Sequence, residues 1–242
     1  GASKYKLTLK TAIDNALSLL TISKTVQAEI CEKYPQVVNK IDFIYPGLNK
    51  WIELDSKDEQ KILEDHNIDY EYILTLSTLE PRKNHINMIK AFDIFKKRTN
   101  SPLKLVIIGK KGWFFEDIFR IVSDLNLEKE VVFLGYVPNH ELSTIISNAK
   151  AFMFMSFYEG FGIPPLEALS LNIKTLVSDI PVFHEVYKEY ALYTNPYSAD
   201  KMAGSLEDLL KRQTRNSSTF VKDNYSWEKS ANKLLSIINE FK

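Results

Sequence analysis

Three observations predict an α/β fold with a doubly wound, Rossmann-like parallel sheet. From Tyr72 to Asp179, short apolar runs alternate with stretches whose apolar residues recur three and four apart, the order that builds strand–helix–strand crossovers. Several of these runs pass directly into loops rich in Gly or charge, as ligand loops do at the carboxyl ends of parallel strands. Apolar residues make up 45% of the 242 residues, enough for a substantial core in one large or two small domains and too many for a disordered chain.

The first clear strand is Tyr72-Ile-Leu-Thr-Leu-Ser77, ending in Thr78-Leu-Glu-Pro-Arg-Lys-Asn84. Ile86, Ile89, Phe92 and Phe95 follow at helical spacing and predict a helix from about His85 to Arg98. Leu103 to Ile108 is a strand entering Gly109-Lys-Lys-Gly-Trp113, and Phe114 to Leu125 is an amphipathic helix. Glu130-Val-Val-Phe-Leu-Gly-Tyr-Val-Pro138 is a strand ending at a Gly, before a helix over Glu141 to Asn148 with Asn139 as its N-cap. Ala151 to Met155 is a buried strand, and a helix begins near Pro164. Lys174 to Pro181 with Phe183 to Val186 reads as a further strand and helix start. The tail from Tyr225 is helical, with Leu234, Leu235 and Ile238 as its apolar edge.

Two loops carry the chemistry. In Ser156-Phe-Tyr-Glu-Gly-Phe-Gly-Ile-Pro-Pro-Leu-Glu-Ala-Leu169, Gly160 and Gly162 let a ligand approach the backbone. The first amides of the following helix lack intrahelical acceptors and suit a phosphate. Glu159 at the loop entrance and Glu167 one turn into the helix can accept from hydroxyls at two points along one ligand. A phosphate flanked by hydroxyl-rich groups describes a nucleotide sugar. Arg82 and Lys83, at the upstream strand-to-helix turn, can neutralise a diphosphate, Arg by a forked pair and Lys as a point charge.

Taken together, the two runs resemble the E-G-F-G-x-P-x-x-E-A signature and the E-P-R-K-N element of the retaining family-4 (group 1) glycosyltransferases, which have the two-domain GT-B fold. The resemblance implies that Glu159 faces the donor hexose, that Glu167 binds the ribose hydroxyls, and that backbone amides of Gly160, Phe161 and Gly162 contact sugar and diphosphate. Arg82 and Lys83 would hold the donor phosphates, and with Glu159 they form the expected catalytic set. Some members carry a further phosphate-binding Arg at the start of the upstream loop, where Ser77 and Thr78 stand here. Their hydroxyls and amides would substitute. Gly109, and the strand end at Gly135, Tyr136 and Val137, would border the nucleobase largely through backbone groups.

E-P-R-K-N, G-K-K-G-W and L-G-Y-V together resemble most the bacterial O-antigen mannosyltransferases. That implies GDP-mannose as donor, a glycan or lipid-linked glycan as acceptor, and polysaccharide biosynthesis. Leu19 to Ile30 resembles the last strand and helix of the family's amino-terminal domain, and Ile41-Asp-Phe-Ile-Tyr-Pro-Gly47 the linker out of it. The expected organisation is therefore residues 1–45 as remnant and linker, 46–220 as the donor-binding domain and 221–242 as a crossover helix. This is the carboxyl-terminal half of a GT-B fold, with its amino-terminal acceptor domain as a missing partner. Gly1-Ala2 reads as a cloning remnant. The rival from another class is a non-catalytic nucleotide-sugar binding module or subunit.

Composition narrows the alternatives. Lys plus Arg and Asp plus Glu both number 31, so no net charge recommends nucleic acid as a partner. The single Cys31 forms no internal disulfide, fits a reducing compartment and is expected to be a buried filler. His66, His85, His140 and His184 lack metal-ligand spacing and read as surface or packing residues. No G-x-G-x-x-G element occurs. No cofactor or metal is expected. No apolar run approaches eighteen residues, and the expectation is a cytoplasmic chain or one peripheral at the inner face of the membrane.

Overall fold

The computed structural model describes residues 10–11, 13–49, 51 and 55–240; Gly1-Ala2 lies outside them. Two compact units are present. One is formed by residues up to 47 together with 225 onward, the other by residues 48–224.

In the first unit, β1 (Leu19–Thr21) and β2 (Ile41–Phe43) pair in parallel. Between them runs α1 (Lys24–Lys33), whose N-cap Ser23 accepts from the Val26 amide at 3.1 Å. Cys31 is half-buried beside a small cluster of Ile13, Val37 and Ile41, so it is a partial filler rather than a buried one. A last helix, Trp227–Asn239, packs against the β2 exit. There the Ser230 hydroxyl donates to the Tyr45 carbonyl at 2.6 Å and Lys233 pairs with Asp42 at 2.5 Å. A Cβ on Gly47 would stand 2.2 Å from the Trp227 nitrogen, which is why a glycine ends this segment. Leu234, Leu235 and Ile238 remain exposed.

The second unit is a six-stranded, all-parallel sheet. In chain order its elements are α2 (Ser56–Asp65), β3 (Tyr72–Leu76), α3 (His85–Thr99), β4 (Lys104–Ile108), α4 (Glu116–Asp124), β5 (Val131–Gly135), α5 (Asn139–Ser147), β6 (Ala151–Phe154), α6 (Ile163–Ser170), β7 (Thr175–Ser178), α7 (Pro181–Tyr187), β8 (Leu192–Thr194), α8 (Ala199–Lys211) and α9 (Ser218–Asn224). The strand order is β5-β4-β3-β6-β7-β8, so the chain moves outward from β3 in one direction, then returns and moves outward from β6 in the other. This is the doubly wound arrangement, and its switch point lies between β3 and β6, where the loops leaving two adjacent strands diverge and open a crevice.

The core is built from the strands and from helices on either face. Ile73, Leu105, Ile107 and Met153 meet Ile89, Phe92, Phe95, Ile118, Met202 and Leu206 in one buried cluster, with α3 lying between α4 and α8. Phe154, Phe183 and Tyr187 pack ring against ring near α7. Asn67, Asn84, Asn100, Asn126 and Asn172 all adopt positive φ, the left-handed conformation that Asn tolerates best after Gly. Asn67, Asn100, Asn126 and Asn172 stand just past helices, so they serve as stop signals in a chain with few glycines.

One expectation needs correction. Asn139 is the first residue of α5 and not its N-cap; Pro138 holds the cap position and makes no side-chain capping bond. The helix after the Gly loop begins at Ile163, next to the expected start near Pro164. Pro164 and Pro165 therefore fall on the second and third helical positions and carry no N–H. Free amides at this helix start are thus fewer than a generic helix offers.

Candidate active site at the strand switch point

The two loops singled out in the sequence leave β3 and β6, adjacent strands of the sheet, and backbone bonds hold them together. The Phe157 amide donates to the Arg82 carbonyl at 2.9 Å. Asn84, buried with φ 63°, sends its side-chain amide to the Met155 carbonyl at 3.0 Å and to the Pro196 carbonyl at 2.7 Å. Left-handed backbone at Asn84 turns the chain from the short 3-10 turn Pro81–Lys83 into α3. That places Arg82 and Lys83 on the crevice side of the turn.

Between the loops lies a cluster of four charges. Lys83 Nζ donates to Glu159 Oε1 at 2.5 Å, and Arg82 Nη1 stands 3.0 Å from Glu159 Oε2. Arg82 Nη1 also donates to the Tyr158 carbonyl at 2.8 Å, and Nη2 to Glu80 Oε1 at 2.8 Å. Lys83 lies over the Phe154 ring at 5.1 Å from its centroid, a cation–π contact that holds the ammonium in place. Arg82 is the accessible member, its side chain 41% exposed against 13% for Lys83 and 11% for Glu159. Two cations face two carboxylates, so the cluster is formally neutral. Buried Glu80 was not singled out in the sequence, although it opens the E-P-R-K-N run.

The downstream loop passes from Glu159 through Gly160 and Phe161 to Gly162. Phe161 is 2% exposed, so only its backbone can meet a ligand. Gly162 has φ 95°, and a Cβ there would stand 2.1 Å from the Tyr187 hydroxyl, which donates to the Gly162 carbonyl at 2.7 Å. Gly162→Ala is expected to cost about 1 to 3 kcal/mol from the left-handed strain, and more from displacing Tyr187. Urea unfolding checks this, and an unchanged midpoint would refute the fit argument. With prolines at 164 and 165, the helix start itself offers the amides of Gly162 and Ile163 to an anion.

Glu167 lies on α6, and its carboxylate has no hydrogen-bonding partner among the described residues. Burial pushes its pKa up from an ordinary 4.5 to about 7. A half-buried carboxylate with no donor beside it is a strong hydrogen-bond acceptor.

The remaining predicted residues border the same end of the sheet. The segment after β3 runs beside the one after β4: the Ser77 amide donates to the Ile108 carbonyl, and the Leu79 amide to the Lys110 carbonyl, both at 2.9 Å. A Cβ on Gly109 would lie 1.9 Å from the Ser77 carbonyl oxygen, so glycine is required for these segments to touch. Ser77 is half-buried and Thr78 exposed. Tyr136 is exposed, with Lys110 over its ring at 4.5 Å, whereas Val137 is buried and offers only backbone. Trp113 is exposed. His85, read from the sequence as a surface or packing residue, is buried and bonded to Ser77. Among the described residues there is no group of three or more His, Cys, Asp or Glu that could hold a metal ion, and no helix is long and apolar enough to cross a membrane.

Comparison with known proteins points the same way. Residues 56–234 match the family model "Glycosyl transferases group 1". The O-antigen chain mannosyltransferase RfbU of Salmonella typhimurium is 34% identical over 214 residues, covering 86% of this chain and 57% of that protein. The O-antigen chain mannosyltransferase B of Escherichia coli is 26% identical, covering 91% of this chain and 60% of that protein. Among solved structures, a glycosyltransferase from Rickettsia africae superposes with a TM-score of 0.80 at 18% identity, over 96% of this chain and 66% of that one. Anabaena Alr3699/HepE in complex with UDP-glucose superposes with a TM-score of 0.82 at 14% identity, over 97% and 67%. At such identities the structures establish the fold alone. The chain spans somewhat more than half the length of the two mannosyltransferases.

Proposed function

This chain belongs to the group 1 glycosyl transferases, and from that membership we propose that it is the donor-binding part of a retaining hexosyltransferase. The donor is GDP-mannose, and the acceptor is a polysaccharide or O-antigen type glycan, free or lipid-linked, presented by a further domain of the whole protein at the inner face of the membrane. The observation that carries this reading is the Arg82–Lys83–Glu159 cluster at the switch point, beside the amides of Gly160 to Ile163 and the open carboxylate of Glu167. The names of the two mannosyltransferase relatives support the choice of sugar.

The neutral cluster suggests how binding is organised. An incoming diphosphate competes with Glu159 for Arg82 and Lys83. The ion pairs exchange partners, and Glu159 is released towards the hexose as the phosphates take the cations. Charge developing on the diphosphate as the glycosidic bond lengthens then meets Arg82, Lys83 and the loop amides already in position. Glu167 takes the ribose hydroxyls. In this reading attack comes from the face the diphosphate leaves, and the anomeric configuration is kept.

Calorimetry tests the reading. GDP and GDP-mannose are expected to bind with equal affinity with and without a chelator, and UDP more weakly. Loss of binding on chelation would sink the metal-free mechanism, and tighter binding of UDP the choice of base. A longer chain that includes the acceptor domain, and that binds GDP-mannose without transferring mannose, would leave the alternative of a non-catalytic nucleotide-sugar module.

A further inference from the structure

Ser77 stands at the carboxyl end of β3, and its hydroxyl lies 3.0 Å from Nε2 of His85, the first residue of α3. His85 is 1% exposed. Its other ring nitrogen, Nδ1, is fully buried and has no hydrogen-bond partner among the described residues. Burial, with the Lys83 charge adding to it, pushes the imidazole pKa down to about 4, so near neutral pH the ring carries one proton, on one nitrogen or the other.

The two tautomers assign opposite roles to Ser77. With the proton on Nδ1, a buried N–H has no acceptor, and Ser77 must turn its only proton back to Nε2. It would then show the crevice nothing but lone pairs. With the proton on Nε2, the ring donates to Ser77 Oγ, and Nδ1 is left as a bare acceptor. Ser77's own proton is then free to point outward. An orphaned buried N–H is the rarer arrangement in proteins, more so than an under-used acceptor. The second tautomer is therefore favoured, and it makes Ser77 a hydrogen-bond donor.

We propose that His85 is a positioning residue that, as the Nε2–H tautomer, fixes the Ser77 hydroxyl as a donor to an anionic oxygen of the bound diphosphate. The inference rests on the reading that the loops after β3 and β6 hold a nucleoside diphosphate, and adds a third side-chain donor to Arg82 and Lys83. It also explains why a histidine is buried at this helix start: its function is exercised through Ser77, without touching the ligand.

The test combines a spectroscopic readout with a mutant cycle. In the 15N-labelled chain, long-range proton–nitrogen correlation is expected to show Nε2 of His85 protonated and Nδ1 bare, with and without GDP. By calorimetry, Ser77→Ala and His85→Leu should each weaken GDP binding roughly tenfold. The double variant should lose no more than either single one, and His85→Gln, which keeps an N–H donor, should recover most of the loss. Should His85→Leu fail to fold, the tautomer and Ser77→Ala still decide. A proton on Nδ1, or unchanged GDP affinity in Ser77→Ala, overturns the inference while leaving the donor-site reading intact. Failure of the unaltered chain to bind either GDP or UDP overturns both.

Discussion

Replacing Arg82 and Lys83 together by alanine is expected to reduce nucleoside diphosphate affinity by about 3 to 6 kcal/mol, taking each charge-assisted bond as worth about 1.5 to 3 kcal/mol. Both cations stand on one turn, at the switch point. The single variants should differ. Lys83→Ala leaves Glu159, whose side chain is 11% exposed, with Arg82 as its remaining ion-pair partner, so stability should fall together with affinity. Arg82→Ala removes the more exposed cation and should act mainly on affinity. Glu159→Gln keeps the size of the side chain, releases Lys83 from its pair and leaves Arg82 paired with Glu80 alone. It should leave GDP binding unchanged or tighter while impairing turnover of the sugar nucleotide. Calorimetry and denaturation on the same variants separate these effects. If the double variant bound GDP as the unaltered chain does, the diphosphate would have to lie elsewhere.

Glu167→Gln is expected to raise stability and lower affinity at once. The ordinary pKa of this carboxyl is 4.5 and burial lifts it to about 7 in the folded chain. Between those values the folded state therefore binds more protons than the unfolded state, and stability falls as pH rises through the window. Above about pH 7 the full penalty applies, on the order of 3 kcal/mol. Glutamine carries no such charge. The variant should gain stability over the unaltered chain progressively from pH 4.5 to 7, show the whole gain by pH 8 and show none near pH 4.5. If the carboxylate accepts ribose hydroxyls, the same variant loses about 1.5 to 3 kcal/mol of GDP affinity. The difference between the two chains in binding should grow with pH across 7, which cancels the titration of the phosphates themselves. Equal pH–stability curves would show that the carboxyl is not strained by burial. Unchanged GDP affinity would remove Glu167 from the ribose site.

Much of the fold is written in local pattern. The runs Tyr72–Leu76, Lys104–Ile108 and Ala151–Phe154 form inner strands and read as apolar blocks because a parallel strand covered on both faces has no polar side to show. Helix α3 was legible from Ile86, Ile89, Phe92 and Phe95. Helix α2 was not, since Ser56–Asp65 exposes most of its surface and carries little apolar stripe. Strand β8, three residues long, gives no usable period. Helix α8 could have been found: Ser198 caps it, and Met202, Leu206 and Leu209 stand three and four apart. The prolines at 164 and 165 were equally visible, and they already limit the helix-start amides.

The sequence by itself determined the chemistry available at each loop: cations after one strand, glycines and a carboxylate after another, because residue type and local turn geometry are properties of short segments. Only the tertiary structure decided which of those groups meet. Strand order places β3 beside β6, across more than seventy residues of chain, and so sets Glu159 against Arg82 and Lys83 instead of across a ligand from them. It also buries His85 against Ser77 and partly desolvates Glu167. Pairing, burial and desolvation depend on what packs around a group from distant parts of the chain, and no short window of sequence contains that information.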